Sequence, residues 1–163
     1  HTSTFGNNTL AAAAVVASIK ETVSENLSQQ AAEKGEYFLE QLQELKDQYQ
    51  LIESVRGRGL IIGIEFAKPE SGILDKISGG MVNKLSRKYT GSLVAGVLHN
   101  DYRIITAYTL NNPNVIRMEP PLIVSREEID RVIEALDEIF DNYDSIFNMT
   151  MKGAKTAVKN IFS

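Results

Sequence analysis

The stretch IESVRGRGLIIGIEF, residues 52 to 66, constrains this chain most. An amphipathic pattern precedes it, and there the apolar spacing changes from helical to one in which β-branched residues cluster around Gly57, Gly59 and Gly63. The pattern reads as strand, glycine turn, strand. Glycine permits either a turn with positive φ or the close approach of another backbone, and the sequence leaves both open.

Helical patterns surround this centre. From Thr9 to about Glu25, Leu10, Ala13, Ala14, Ala17, Ile19 and Val23 recur at helical spacing, with Thr9 as the expected N-cap. From Asn26 to Gln50, Leu27, Ala31, Gly35, Phe38, Leu42 and Leu45 form one apolar stripe among Glu, Lys and Gln, so this helix faces a core. Lys68 to Gly80 carries Pro69, Gly72 and a Gly-Gly pair and reads as a loop. Met81 to about His99 reads as a helix weakened at Gly91 and Gly96. RIITAYT from Arg103 and NVIRMEPPLIV from Asn114, separated by LNNPN, suggest an antiparallel hairpin with a loose connection. Ser125 with Glu128 three residues later is a capping box, and IDRVIEALDEIFDNY after it is the clearest helix in the chain.

This order predicts an α+β fold, a small mostly antiparallel sheet with helices packed on one face. The expected divisions are residues 1-25, a connecting region and helix, residues 26-143, a small domain, and residues 144-163, a helical tail. In the tail Lys152, Lys155 and Lys159 have no acid among them, and Met151, Ala154, Val158, Ile161 and Phe162 lie on another side. Packing on the protein's own surface is the preferred reading of that tail over a membrane surface.

Composition excludes several function classes. With 17 Lys and Arg against 21 Asp and Glu, the net charge of −4 argues against general nucleic-acid binding. The chain has no cysteine, so thiolate metal sites and disulfides are absent, which fits a reducing, cytoplasmic compartment. Two histidines are too few for a His-rich metal cluster, and no metal site is expected. The longest apolar run, AAAAVVA, is far short of the roughly 20 residues a membrane span needs, so no membrane partner is expected. The start, with neither Met nor a basic signal region, reads as a cut edge.

No catalytic constellation is complete. Phosphate loops, metal-binding helices and serine-nucleophile elbows are all missing. Arg117, in the apolar strand pattern VIRMEPPL, is the residue with a chemical reading. Held at a strand end before Pro120 and Pro121, its guanidinium can grip a carboxylate through two parallel hydrogen bonds, although an arginine on the exposed face of a strand would look the same.

Three segments, in order, resemble one family. HTSTFGNNTLAAAA is similar to the His-x-Ser-Thr-Phe/Tyr-Gly-Gly-Asn-Pro-Leu-Ala segment of class-III aminotransferases, the pyridoxal-phosphate (PLP) enzymes of the ornithine, acetylornithine and putrescine type. VRGRGLIIGIEF is similar to the family's V-R-G-x-G-L-x-x-G-I/V-E-F, and VIRMEPPLIVSREEID to its I-R-x-x-P-P-L-x-x-x-x-E-E-I. Asn7 and Thr9 depart from the usual second glycine and proline. The region around RIITAYTLNNPNVIRMEPP and the tail look more like the putrescine, diamine-using type.

The resemblance implies the C-terminal part of a fold-type-I PLP-dependent transferase, mainly its small domain, residues 26-143, with residues 1-25 as the end of the large-domain region and connecting helix. It implies pyridoxal 5'-phosphate as cofactor, a homodimer, and amine, amino-acid and 2-oxo-acid substrates. Ser3 and Thr4 match the pair that contacts the cofactor phosphate held mainly by the dimer mate, and Arg117 matches the arginine that binds a substrate carboxylate. The family's Schiff-base lysine lies upstream of the His-x-Ser-Thr segment, so the resemblance implies no catalytic residue here and an inactive isolated chain. Lys20, Lys34 and Lys84 match no catalytic position. The competing expectation is a non-catalytic interaction or dimerisation module built from the same domain.

Overall fold

The computed structural model describes residues 8–67, 81–109 and 111–142, and for 81–89 and 108 the backbone alone. Ser3, Thr4, the expected loop at 68–80 and the tail from 144 onward lie outside the described residues. The elements are helix α1 (Thr9–Ser24), helix α2 (Leu27–Gln48), strand β1 (Ile52–Arg58), strand β2 (Ile61–Phe66), helix α3 (Met81–Asn100), strand β3 (Ala107–Tyr108), strand β4 (Val115–Met118) and helix α4 (Arg126–Asp141). The sheet has the order β1-β2-β4-β3, and every neighbouring pair is antiparallel. The fold is the α+β architecture that the sequence predicts.

Alternation in β2 divides the sheet into two faces. Ile62, Ile64 and Phe66 are buried, while Ile61, Gly63 and Glu65 face the other way. Ile116 and Met118 of β4 join the buried side, and α2, α3 and α4 supply Phe38, Leu42, Val94, Leu98, Leu136 and Ile139 to the same core. Each such side chain, fully buried, contributes roughly 1.5–3 kcal/mol.

The β1–β2 turn is tight. Arg58 pairs with Ile61, leaving Gly59 and Leu60 as the two turn residues, and Gly59 alone of the two has positive φ, +55°. A positive φ at the first central position is what a type II′ hairpin turn requires. The turn also explains a glycine inside α2. A Cβ built on Gly35 would sit 2.1 Å from the Gly59 carbonyl oxygen, so helix and turn meet backbone to backbone. Gly91 does the same in α3, where a Cβ would lie 2.4 Å from the Pro113 carbonyl oxygen. Within the hairpin, Gly59 takes the positive φ, and a Cβ on Gly57 would lie 2.6 Å from the Ile61 carbonyl oxygen, so both readings of its glycines hold, at different residues.

Helix α4 carries the expected capping box. Ser125 Oγ accepts from the Glu128 backbone N–H, and Glu128 accepts from the Ser125 N–H. The helix is also fastened by three tyrosines. Tyr37 donates to Asp130 at 2.5 Å, Tyr49 to Asp137 at 2.7 Å and Tyr102 to Glu138 at 2.7 Å. The hydrogen bond from each hydroxyl to its carboxylate pushes Tyr49 and Tyr102 up to about 12 and raises Tyr37 in the same direction.

Two details differ from expectation. Asn8, not Thr9, caps α1, because its Oδ1 accepts from the Ala11 N–H at 3.0 Å and Thr9 begins the helix. The RIITAYT run yields only the two-residue β3. Arg103 takes φ +60° just after α3, and the Ile104 N–H donates back to the Leu98 carbonyl, so the run begins as a helix terminus and becomes strand only at Ala107.

The glycine contacts predict opposite outcomes for one substitution. Gly35→Ala should destabilise the chain by about 1–3 kcal/mol, because the turn backbone must move away. Gly96→Ala meets nothing within 4 Å and should stabilise it by about 0.4–1 kcal/mol. Urea unfolding of both variants checks the signs.

Candidate functional site

The face of the sheet away from the helix core carries the polar residues. Gly63 pairs with Arg56 on one side and Arg117 on the other, and Arg117 pairs with Ala107 beyond. One row across four strands thus reads Arg56, Gly63, Arg117, Ala107. The glycine leaves a side-chain gap between two arginines, and Arg58, two residues from Arg56 on the same strand, borders it. A concavity of about 420 Å³ opens there, lined by these three arginines, Ile61, Thr109 and Val115 among others.

The three guanidiniums differ in how they are held. Arg56 Nη1 donates to Glu65 Oε2 at 2.7 Å and to Ser54 Oγ at 2.8 Å. Glu65 Oε1 accepts from Asn112 Nδ2 at 2.9 Å, which ties β2 to the β3–β4 connection. Thr109 Oγ1 donates to the Asn112 carbonyl and accepts its N–H, closing that connection on itself. The hydrogen bond from Arg56, together with its charge, holds the Glu65 carboxyl below its usual value of 4.5 against the opposing effect of burial. Arg56 is therefore braced.

Arg117 is held more loosely. Its Nε lies 3.0 Å from Glu119 Oε1, and both side chains are about half exposed, 52% and 45%. An exposed pair of this kind contributes at most about 1 kcal/mol, so a ligand carboxylate can take the place of Glu119 at little cost. The strand ends one residue later at Met118, with Glu119 and Pro120-Pro121 following, which puts Arg117 at an opening as its sequence context predicts. Arg58 has no hydrogen-bond or ion-pair partner among the described residues.

Among the described residues, no lysine lines this concavity. Among the described residues no group of three or more His, Asp and Glu could hold a metal ion, and no helix is long and apolar enough to cross a membrane. Arg56, Arg58, Glu65 and Gly63 were not singled out as site residues from sequence. Their signal was the i, i+2 spacing of the two arginines, but the pairing of β2 with β4, which brings them to Arg117, joins segments about 50 residues apart.

Comparison with known proteins decides the family. The model of the aminotransferase class-III family matches residues 1–140. The chain belongs to the class-III aminotransferases. Putrescine aminotransferase from Pectobacterium atrosepticum is 38% identical over 140 residues, which cover 85% of this chain and 26% of that protein. This member of the family thus spans about a quarter of the length of that relative. Acetylornithine aminotransferase from Elizabethkingia anophelis superposes with a TM-score of 0.67 at 27% identity, covering 86% of this chain and 30% of that one. Ornithine aminotransferase from Plasmodium yoelii gives a TM-score of 0.64 at 27% identity, covering 86% and 32%.

The brace on Arg56 has a pH signature. Because folding lowers the Glu65 pKa, its stabilising contribution is complete above 4.5 and is lost as pH falls through the lower folded value. Glu65→Gln should flatten the acid side of the stability curve, measured by urea unfolding at a series of pH values, while changing stability near neutrality by no more than about 1 kcal/mol.

Proposed function

We propose that this chain is the carboxylate-recognising portion of a pyridoxal-phosphate-dependent aminotransferase that moves an amino group from an amine or amino acid, including a diamine of the putrescine type, to a 2-oxo acid. The observation that carries the reading is Arg117, on the open sheet face, beside a glycine gap and, among the described residues, balanced by an exposed glutamate. A planar guanidinium in that setting suits an incoming carboxylate. Exchange of Glu119 for the ligand lets the same site accept an anionic end and close again when it leaves.

Pyridoxal phosphate, when bound, supplies the electron sink for amino transfer. The hydroxyls of Ser3 and Thr4 have the donor chemistry a phosphate needs, and they precede α1, whose first turn contains no acid to repel one. In this reading they reach the phosphate across a homodimer interface. In this reading the Schiff-base lysine comes from a part of the polypeptide before His1. Leu10, Val15, Val16, Ile19 and Val23 of α1 are exposed, and in this reading they face that same part. The isolated chain is then inactive.

Arg117→Ala in the complete enzyme tests the reading. It should raise KM for carboxylate-bearing substrates at least tenfold, the effect of about 1.4 kcal/mol, and change KM for simple diamines much less. Equal losses for both substrate classes would make Arg117 structural and overturn the assignment.

A further inference from the structure

The open sheet face holds three arginines, and among the described residues two of them are paired with acids, Arg56 with Glu65 and Arg117 with Glu119. Arg58 is left over. It is exposed and has no hydrogen-bond or ion-pair partner among the described residues. The face therefore carries one positive charge more than its acids balance, and a single incoming carboxylate would give every guanidinium a partner.

Strand register decides where that third guanidinium can act. Gly63 pairs with Arg117 and Ile62 with Met118, so the next step carries Glu119 opposite Ile61, and Ile61 pairs with Arg58 on its other side. Arg58, Ile61 and Glu119 thus form a row beside the row of Arg56, Gly63 and Arg117. Along the chain Glu119 lies two residues past Arg117, about 7 Å away. Across the sheet it lies two strand spacings from Arg58, about 10 Å, which an extended arginine and an extended glutamate cover between them. Ile61, the residue they would pass over, is 63% exposed and leaves the way open. The two side chains also line one concavity together, a second one of about 420 Å³ with Ile61, Pro120 and Leu122 on its wall. Arg58 borders both this concavity and the one that holds Arg117. Glu119 therefore has two arginines within reach and holds one of them.

We propose that Arg58 is a positioning residue that receives Glu119 when a substrate carboxylate takes Arg117; this rests on the carboxylate-binding reading of Arg117. A two-point grip through Nε and an Nη of Arg117 needs the place that Glu119 Oε1 occupies, 3.0 Å from Nε. Left beside the incoming carboxylate, Glu119 would repel it. On Arg58 it stands away from the ligand and regains a partner. One exposed ion pair is exchanged for another of the same kind, so opening Arg117 costs little and its closing after release costs little too. A substrate end that carries an amine brings no carboxylate and leaves Glu119 on Arg117. Arg58 therefore acts on the carboxylate-bearing substrates alone.

A double-mutant cycle in the complete enzyme tests this, with butyrate as a probe that has a carboxylate and no amine. Arg58→Gln should weaken butyrate binding, measured by calorimetry, about two- to fivefold, the effect of one exposed ion pair. KM for carboxylate-bearing substrates should rise by the same factor, with kcat and KM for simple diamines unchanged. Arg58→Met, which keeps the apolar stem over Ile61, should match Arg58→Gln and decides if that variant folds poorly, and Arg58→Lys should retain most of the affinity. The loss should vanish without the acid, so that R58Q/E119Q binds butyrate as E119Q does. A loss that persists in the E119Q background would place the carboxylate on Arg58 itself and overturn the proposal, as would no loss in any Arg58 variant or an equal loss for diamines. Arg117→Ala, measured alongside, separates the two readings. If it discriminates between the substrate classes and the Arg58 variants do not, the carboxylate reading stands and this proposal falls; if it weakens both classes equally, both fall.

Discussion

Strict alternation in the central strand β2 is the constraint on which the rest of the structure depends. Ile62, Ile64 and Phe66 go into the core, and Ile61, Gly63 and Glu65 therefore go out. A slip of one residue would expose three large apolar side chains and bury a glutamate, a loss of several kcal/mol, so the register is fixed by packing. The same register decides the chemistry. It places Gly63 between Arg56 and Arg117 and sets Glu65 where it can hold Arg56 and Asn112 together.

Two helix glycines then bring the helices onto this sheet. Gly35 lets α2 touch the β1–β2 turn, and Gly91 lets α3 touch the β3–β4 connection. In both cases a helix meets the backbone of a turn next to the arginine face, so the loops that frame the concavity are supported from beneath. Tyrosine hydroxyls bonded to Asp130, Asp137 and Glu138 fasten α4 over the other side of the core. The rigid side of the domain thus presents an open side with loosely balanced charge, a suitable division for a binding surface.

Sequence made the local features legible. The capping box of α4, the glycine hairpin and the exposure of Arg117 before two prolines are each set by residues within a few positions of one another, and each is found in the structure. What was not legible depends on distant partners. Gly35 looked like one member of an apolar stripe, because its contact with Gly59 appears only when helix and hairpin are packed. Arg56 and Arg58 had the spacing of an exposed face, but nothing local says that β4 lies on the far side of β2. The end of α3 extends to a helix-terminating hydrogen bond at Ile104, and this shortened a strand that β-branched residues alone would have made longer.

In the proposed function this domain recognises substrate for a cofactor anchored elsewhere in the polypeptide. The most direct measurement is borohydride reduction of the complete protein in the presence of pyridoxal phosphate, followed by mass mapping of the modified peptide. One reduced adduct is expected, on a lysine preceding His1. An adduct on Lys20, Lys34 or Lys84, or none at all, would contradict it.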